Sequence, residues 1–202
     1  MDVLISSLVA SVILAAIPLI LAGLGELITE KAGVLNLGVE GMMLLGAVTS
    51  FIVAFETNQL WLGLLIGVLV GALAAAVFAF LVVRLLTNQV ATGLALTILG
   101  TGLSALFGVK YVGQPLAGFD VVAIPFLADL PVVGALFNQS LPAYLSIVIA
   151  VALAVLLYRS KLGLIVRAVG ESPTVAPSIG YDVLKVRYGA TMVGGALSGL
   201  AW

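Results

Sequence analysis

The chain has 202 residues, of which 63% are apolar and 8% charged, with a formal net charge of −1 and a mean hydropathy of +1.33. Soluble domains sit near about 50% apolar with about a quarter charged, and a globule of this length cannot hide the excess, so lipid is the expected solvent. Cysteine and histidine are absent, which excludes disulfides, thiolate metal sites and the commonest general base and metal ligand; the weak net charge argues against nucleic acid as a partner.

Taken in chain order, the first apolar run covers residues 3–24 and carries Pro18. Its leading "MDVLISSLVA" lacks the basic start of a cleaved signal peptide, so it reads as a retained span. Further runs at 34–55, 60–83, 90–109 and 141–158 approach or reach the roughly 20 residues that a bilayer-crossing helix needs. A sixth begins near 188 and has about 15 residues, roughly 22 Å of helix, short of a hydrocarbon core of about 30 Å. The expectation is therefore a C-terminally truncated piece of a longer protein. No stretch shows the dyad alternation of a membrane barrel strand. The fold class expected is all-α, a polytopic transmembrane helix bundle of about six spans forming a single domain over 1–202.

The eight basic residues set the orientation. Arg159, Lys161, Arg167, Lys185 and Arg187 share the connection 159–187; counting spans backwards puts Arg84 and Lys31 on the same side and leaves Lys110 opposite. Basic residues near span ends mark the cytoplasm, so the N-terminus is expected outside. The segment 121–137 is apolar but interrupted by Pro125, Asp129 and Pro131, and reads as an external loop of re-entrant or interfacial character.

Small residues recur at every fourth position: Gly63, Gly67, Gly71, Ala75 and Ala79, then Gly100, Ser104 and Gly108, then Gly195 and Gly199. Each set makes one smooth helix face and predicts close packing.

Three polar features interrupt this background. In "GVLNLGVEGMMLLGA", residues 33–47, Asn36 and Glu40 stand at i and i+4, on one face if the segment is helical; Gly33, Gly38 and Gly41 allow close approach or local unwinding. An ionisable residue at membrane depth is a functional candidate, either touching solute or hydrogen bonding within the helices. In "TNQVATG", residues 87–93, Asn88, Gln89 and Thr92 either cap a helix or line a permeation path. In "SKLGLIVRAVGESPTVAPSIGYDVLKVR", residues 160–187, Ser172 followed by Pro173 resembles a helix start, and Gly180 suits a helix stop. A cytoplasmic helix of about two turns is expected there.

These stretches, with "NQVATGLALTILGTGLSAL", resemble the permease subunits of bacterial ABC importers, the family that includes branched-chain amino acid, ribose and nucleoside permeases. The resemblance runs from about residue 25 to 200. The form "NLGVEGMM" is most similar to the nucleoside and simple-sugar branch. The resemblance implies a multi-pass protein of the bacterial inner membrane. It implies three partners: an ATPase subunit, a second permease subunit that is identical or related, and an extracytoplasmic solute-binding protein. ATP hydrolysis would belong to the ATPase, so the chain itself is expected to be neither an enzyme nor a cofactor carrier. The polar residues Asn36, Glu40, Asn88, Gln89 and Thr92 are the candidates for a substrate path. An ATPase-coupling helix would lie at 172–180, with Arg167, Gly170, Glu171, Pro173, Ala176 and Gly180 matching. Pro177 departs from that pattern and predicts a shorter or kinked helix. A branched-chain amino acid importer, an ion-coupled transporter using Glu40 and a non-transporting scaffold stand as the alternatives.

Overall fold

The structure, a computed structural model, describes residues 2–123, 134 and 137–201. Helix α1 spans Asp2–Lys31 and passes through Pro18; α2 spans Val39–Thr57. Helix α3, Leu60–Ala79, ends in a π turn at Phe80–Arg84, and α4, Gln89–Gly108, ends in a 3-10 turn at Val109–Tyr111. Two short strands, β1 at Val121–Ala123 and β2 at Asn138–Ser140, pair antiparallel with Val121 opposite Ser140. Helices α5 (Leu141–Arg159), α6 (Lys161–Glu171) and α7 (Val183–Leu200) follow, with a 3-10 turn at Ala176–Ile179 between the last two. Of the segment 121–137, residues 124–133, 135 and 136 lie outside the described residues.

Among the described residues, five helices are long and apolar enough to cross a membrane: Ala10–Lys31, Val39–Thr57, Leu60–Arg84, Gln89–Tyr111 and Leu141–Arg159. The fold is an all-α polytopic bundle, as its composition requires. The sixth run starts earlier than expected, at Val183, where the Asp182 carboxylate accepts a hydrogen bond from the Lys185 N–H at 3.1 Å. That bond caps the helix and holds the exposed Asp182 carboxyl below the usual carboxylate range. The cap is therefore intact above that range and is lost as pH falls through the lowered value.

Helix α7 is the least apolar of the long helices, and its inner face packs on protein. Its Thr191, Gly194, Gly195, Leu197, Ser198 and Gly199 are buried against α1, α2 and α3 together. Lipid tails remove any hydrophobic drive between helices, so contact area and backbone proximity decide association. A Cβ at Gly195 would overlap the Ala75 methyl and lie 2.5 Å from the Gly71 carbonyl oxygen, and one at Gly46 would lie 2.7 Å from Gly199. The face Gly63, Gly67, Gly71, Ala75 and Ala79 is wholly buried, while Leu65, Leu69, Leu73 and Val77 behind it are exposed. Hydrogen bonds stitch the same contacts: Ser50 Oγ donates to the Gly63 carbonyl and Tyr188 Oη to the Ala76 carbonyl, each at 2.7 Å.

Two further expectations change. The second span starts at Val39 rather than 34, because residues 32–38 leave the helix. Between 160 and 187 the regular helix is α6, ending at Glu171. Ser172 follows it instead of capping a new helix, and 172–180 holds one 3-10 turn with Pro177 inside it. A missing N–H at 177 leaves room for that turn and no more. Gly180 does stop the turn, at φ 86°.

Gly195→Leu should drive α3 and α7 apart at a cost of about 1–3 kcal/mol or more, lowering the melting temperature of the detergent-solubilised protein by several degrees. Gly102→Leu, at a site with nothing within 4 Å of the added Cβ, should leave it unchanged.

Candidate functional site

Backbone that leaves a helix must find other hydrogen-bond partners, and residues 32–38, which connect the spans ending at Lys31 and starting at Val39, show where they come from. The Gly33 and Val34 N–H groups donate back to the Glu30 and Thr29 carbonyls at 2.8 and 3.2 Å. Gly33 takes φ 79°, the left-handed conformation that stops α1. The Leu35 N–H donates to Gln89 Oε1 at 2.7 Å, and the Asn36 N–H to Glu26 Oε1 at 3.0 Å. Thr97 Oγ1 donates to the Leu37 carbonyl at 3.0 Å. Asn36 Oδ1 accepts from the Gly38 N–H at 3.0 Å, an Asx turn that launches α2. Asn36 is 2% exposed, and its Nδ2 lies 3.5 Å from Met42 Sδ.

This arrangement separates residues that a continuous helix would align. Asn36 sits in the break, whereas Glu40 is exposed in the first turn of α2, the end where the helix dipole favours a carboxylate. Among the described residues Glu40 makes no hydrogen bond or ion pair. Glu26 takes the inward position instead, with Oε2 buried and no hydrogen-bond partner among the described residues. Sequence reasoning passed over it because the first span was expected to end at residue 24. The helix running on to Lys31 brings Glu26 inside.

The start of α4 lies against the break. Asn88 caps the helix, its Oδ1 accepting from the Ala91 N–H at 3.0 Å, while Thr92 and Thr87 share a hydroxyl–hydroxyl bond of 3.0 Å. Leu96 closes over Gly38, and a Cβ at Gly41 would stand 2.5 Å from the Leu96 carbonyl oxygen. Gln89 thus meets the Asn36 segment directly; Asn88 and Thr92 stay at the same helix end without touching Asn36.

The same end of the bundle collects the basic residues. Arg84 and Lys185 line one shallow cleft with Tyr188, and Arg187 Nε donates to the Ala32 carbonyl at 3.1 Å. Lys110 stands at the other end, 3.8 Å from Glu56. Helix α6 folds back tightly from α5: Ser160 Oγ accepts from the Gly163 N–H at 3.1 Å, and a Cβ at Gly163 would overlap the Leu156 and Leu157 carbonyls. Arg167 lies over the Tyr158 ring, 5.4 Å from its centroid. Gly170 abuts Lys31 and Gly33. Glu171 is exposed, Pro173 half-buried and Ala176 2% exposed. Glu171, Ser172, Val175 and Ala176 edge an open cleft of about 210 Å³.

No group of three or more His, Cys, Asp or Glu side chains is placed to hold a metal ion among the described residues. The arrangement instead offers a polar, non-helical segment packed between helices at one end and a surface element beneath it.

Residues 8–201 match the family model described as branched-chain amino acid transport system / permease component. TsgC13 of Haloferax volcanii, which bears the name of a glucose ABC transporter permease protein, is 46% identical over 97% of this chain and 61% of its own length. The guanosine ABC transporter permease protein NupQ of Bacillus subtilis is 33% identical, covering 98% of this chain and 66% of its own. The nucleoside ABC transporter permease protein NupC of Lactococcus lactis is 30% identical over 96% and 65%. The chain thus spans less than two thirds of the length of each of these relatives. No solved structure matches it.

Glu26→Leu should orphan the buried Asn36 N–H and destabilise the protein by about 1–3 kcal/mol. Glu26→Gln retains an acceptor at Oε1 and should recover most of that loss, read by thermal unfolding in detergent.

Proposed function

Because the chain belongs to the family of permease components of branched-chain amino acid transport systems, we propose that it is the membrane-spanning part of an ATP-driven importer of simple sugars or nucleosides. The relatives named for glucose, guanosine and nucleosides support that solute class. On this reading hydrolysis belongs to a separate ATPase, as the permease family supports.

The observation that carries this reading is the platform at the basic end. Helix α6 does not span; it lies against the end of α1 and leaves Glu171, Ser172, Thr174 and Val175 exposed beyond it. Such a surface suits a cytoplasmic ATPase that grips 159–187, with Arg167, Gly170, Glu171, Pro173, Ala176 and Gly180 shaping the contact. The concentration of basic side chains on that side supports a cytoplasmic assignment and an extracytoplasmic N-terminus. On this reading solute reaches the outer face from a binding protein and crosses beside a second permease subunit. Glu40, Asn88, Gln89 and Thr92 line the inner exit, with Asn36 buried behind them, and water and amide groups there replace lost hydration.

Reconstitution of the full-length protein with its ATPase and binding protein tests the proposal. Uptake of labelled glucose or guanosine should require ATP and survive collapse of the proton gradient. Uptake that continues without ATP and stops with the gradient would make this an ion-coupled transporter.

A further inference from the structure

Resting on the importer reading, we infer that the break at 32–38 is the joint through which α6 acts on α4, with Gly170 and Gly33 as its positioning residues. The contact on the α6 side is backbone against backbone. A Cβ at Gly33 would stand 3.2 Å from Gly170 Cα and 3.3 Å from its carbonyl oxygen, and a Cβ at Gly170 would overlap the Lys31 carbonyl oxygen. Close-packed atoms with no flexible side chain between them pass displacement on instead of absorbing it. Arg187 fixes the same point from α7: its Nε binds the Ala32 carbonyl, and its guanidinium lies 3.0 Å from where a Gly33 Cβ would be.

On its far side the break is fastened to α4 by Leu96, which closes over Gly38, and by three further contacts. Gln89 Oε1 accepts from Leu35, Thr97 Oγ1 donates to Leu37, and a Cβ at Gly93 would lie 2.9 Å from the Leu37 and Gly38 nitrogens. Helix α4 packs otherwise almost wholly on α2, and of the five spans its window is the least buried. The least buried span is therefore the one tied to the break. Glu26 and the Asx turn of Asn36 keep the break in one shape while it moves. A push on α6 then reaches the head of α4 through the non-helical residues 33–38, without bending a helix.

The test uses the full-length importer in proteoliposomes and reads labelled glucose or guanosine taken up per ATP hydrolysed. Thr97→Val should lower that ratio by about fivefold or more while hydrolysis continues. Gly170→Ala should do the same from the other end, whereas Gly189→Ala, where nothing lies within 4 Å of the added Cβ, should not. This chain carries no cysteine, so a Leu37→Cys/Thr97→Cys pair can replace the lost tie. Reduced, the pair should be uncoupled; bridged by a short bifunctional thiol reagent, it should recover the ratio. A bridge that abolishes uptake would show that break and α4 must separate, and would overturn the joint. So would an unchanged ratio in Thr97→Val, or equal loss of hydrolysis and uptake. A wild-type complex that imports without ATP overturns the importer reading itself.

Discussion

Backbone amides that leave a helical ladder need other partners, and the stretch from Ala32 to Gly38, between the first two spans, is where this structure meets that demand most tightly. Here the chain turns out of one helix and into the next without the repeating ladder of either. Side chains from two other elements supply what the ladder no longer does: Glu26 from α1, Gln89 and Thr97 from α4. The rest of the bundle is arranged around that exchange. Helix α1 must run as far as Lys31 to present Glu26, α4 must start at Gln89 to present an amide, and Gly41 must be bare so that α2 and α4 come close enough to share the work.

The second ordering influence is the glycine-faced α7. A helix with so little side chain on its inner side can be approached from three directions at once, and α1, α2 and α3 all do so. Small residues on both partners bring carbonyl oxygens to the opposing Cα atoms, where weak C–H···O contacts add to dispersion. Between helices in lipid, polar pairs average only about 0.6 kcal/mol, so Ser50 and Tyr188 set register more than they set strength.

Much of this was legible in the sequence. The four-residue repeat of small side chains in α3 marked the buried face correctly, because lipid reads smoothness the same way in any bundle. Asn88 as a cap and Gly180 as a stop depend on local chemistry, and both sit where such residues sit. The break at 32–38 was half legible: Gly33 and Gly38 signalled unwinding, yet an apolar run with i, i+4 polar residues also fits a continuous helix. Tertiary partners, Gln89 fifty-four positions away above all, decided between them. Helix α6 was obscured for another reason, since a short amphipathic helix lying along an interface has neither the length nor the uniform apolarity of a span. Glu26 was hidden by a boundary, as an apolar window ends at the first carboxylate even when the helix continues.

Helix α4 with its terminal 3-10 turn covers Gln89–Tyr111, 23 residues, or about 35 Å at helical rise, against a hydrocarbon core of about 30 Å. Packed mainly on α2 and the least buried of the five spans, it meets that mismatch by tilt or by local thickening of the bilayer. Either way the load falls on the helix whose first residue, Gln89, holds the Leu35 N–H.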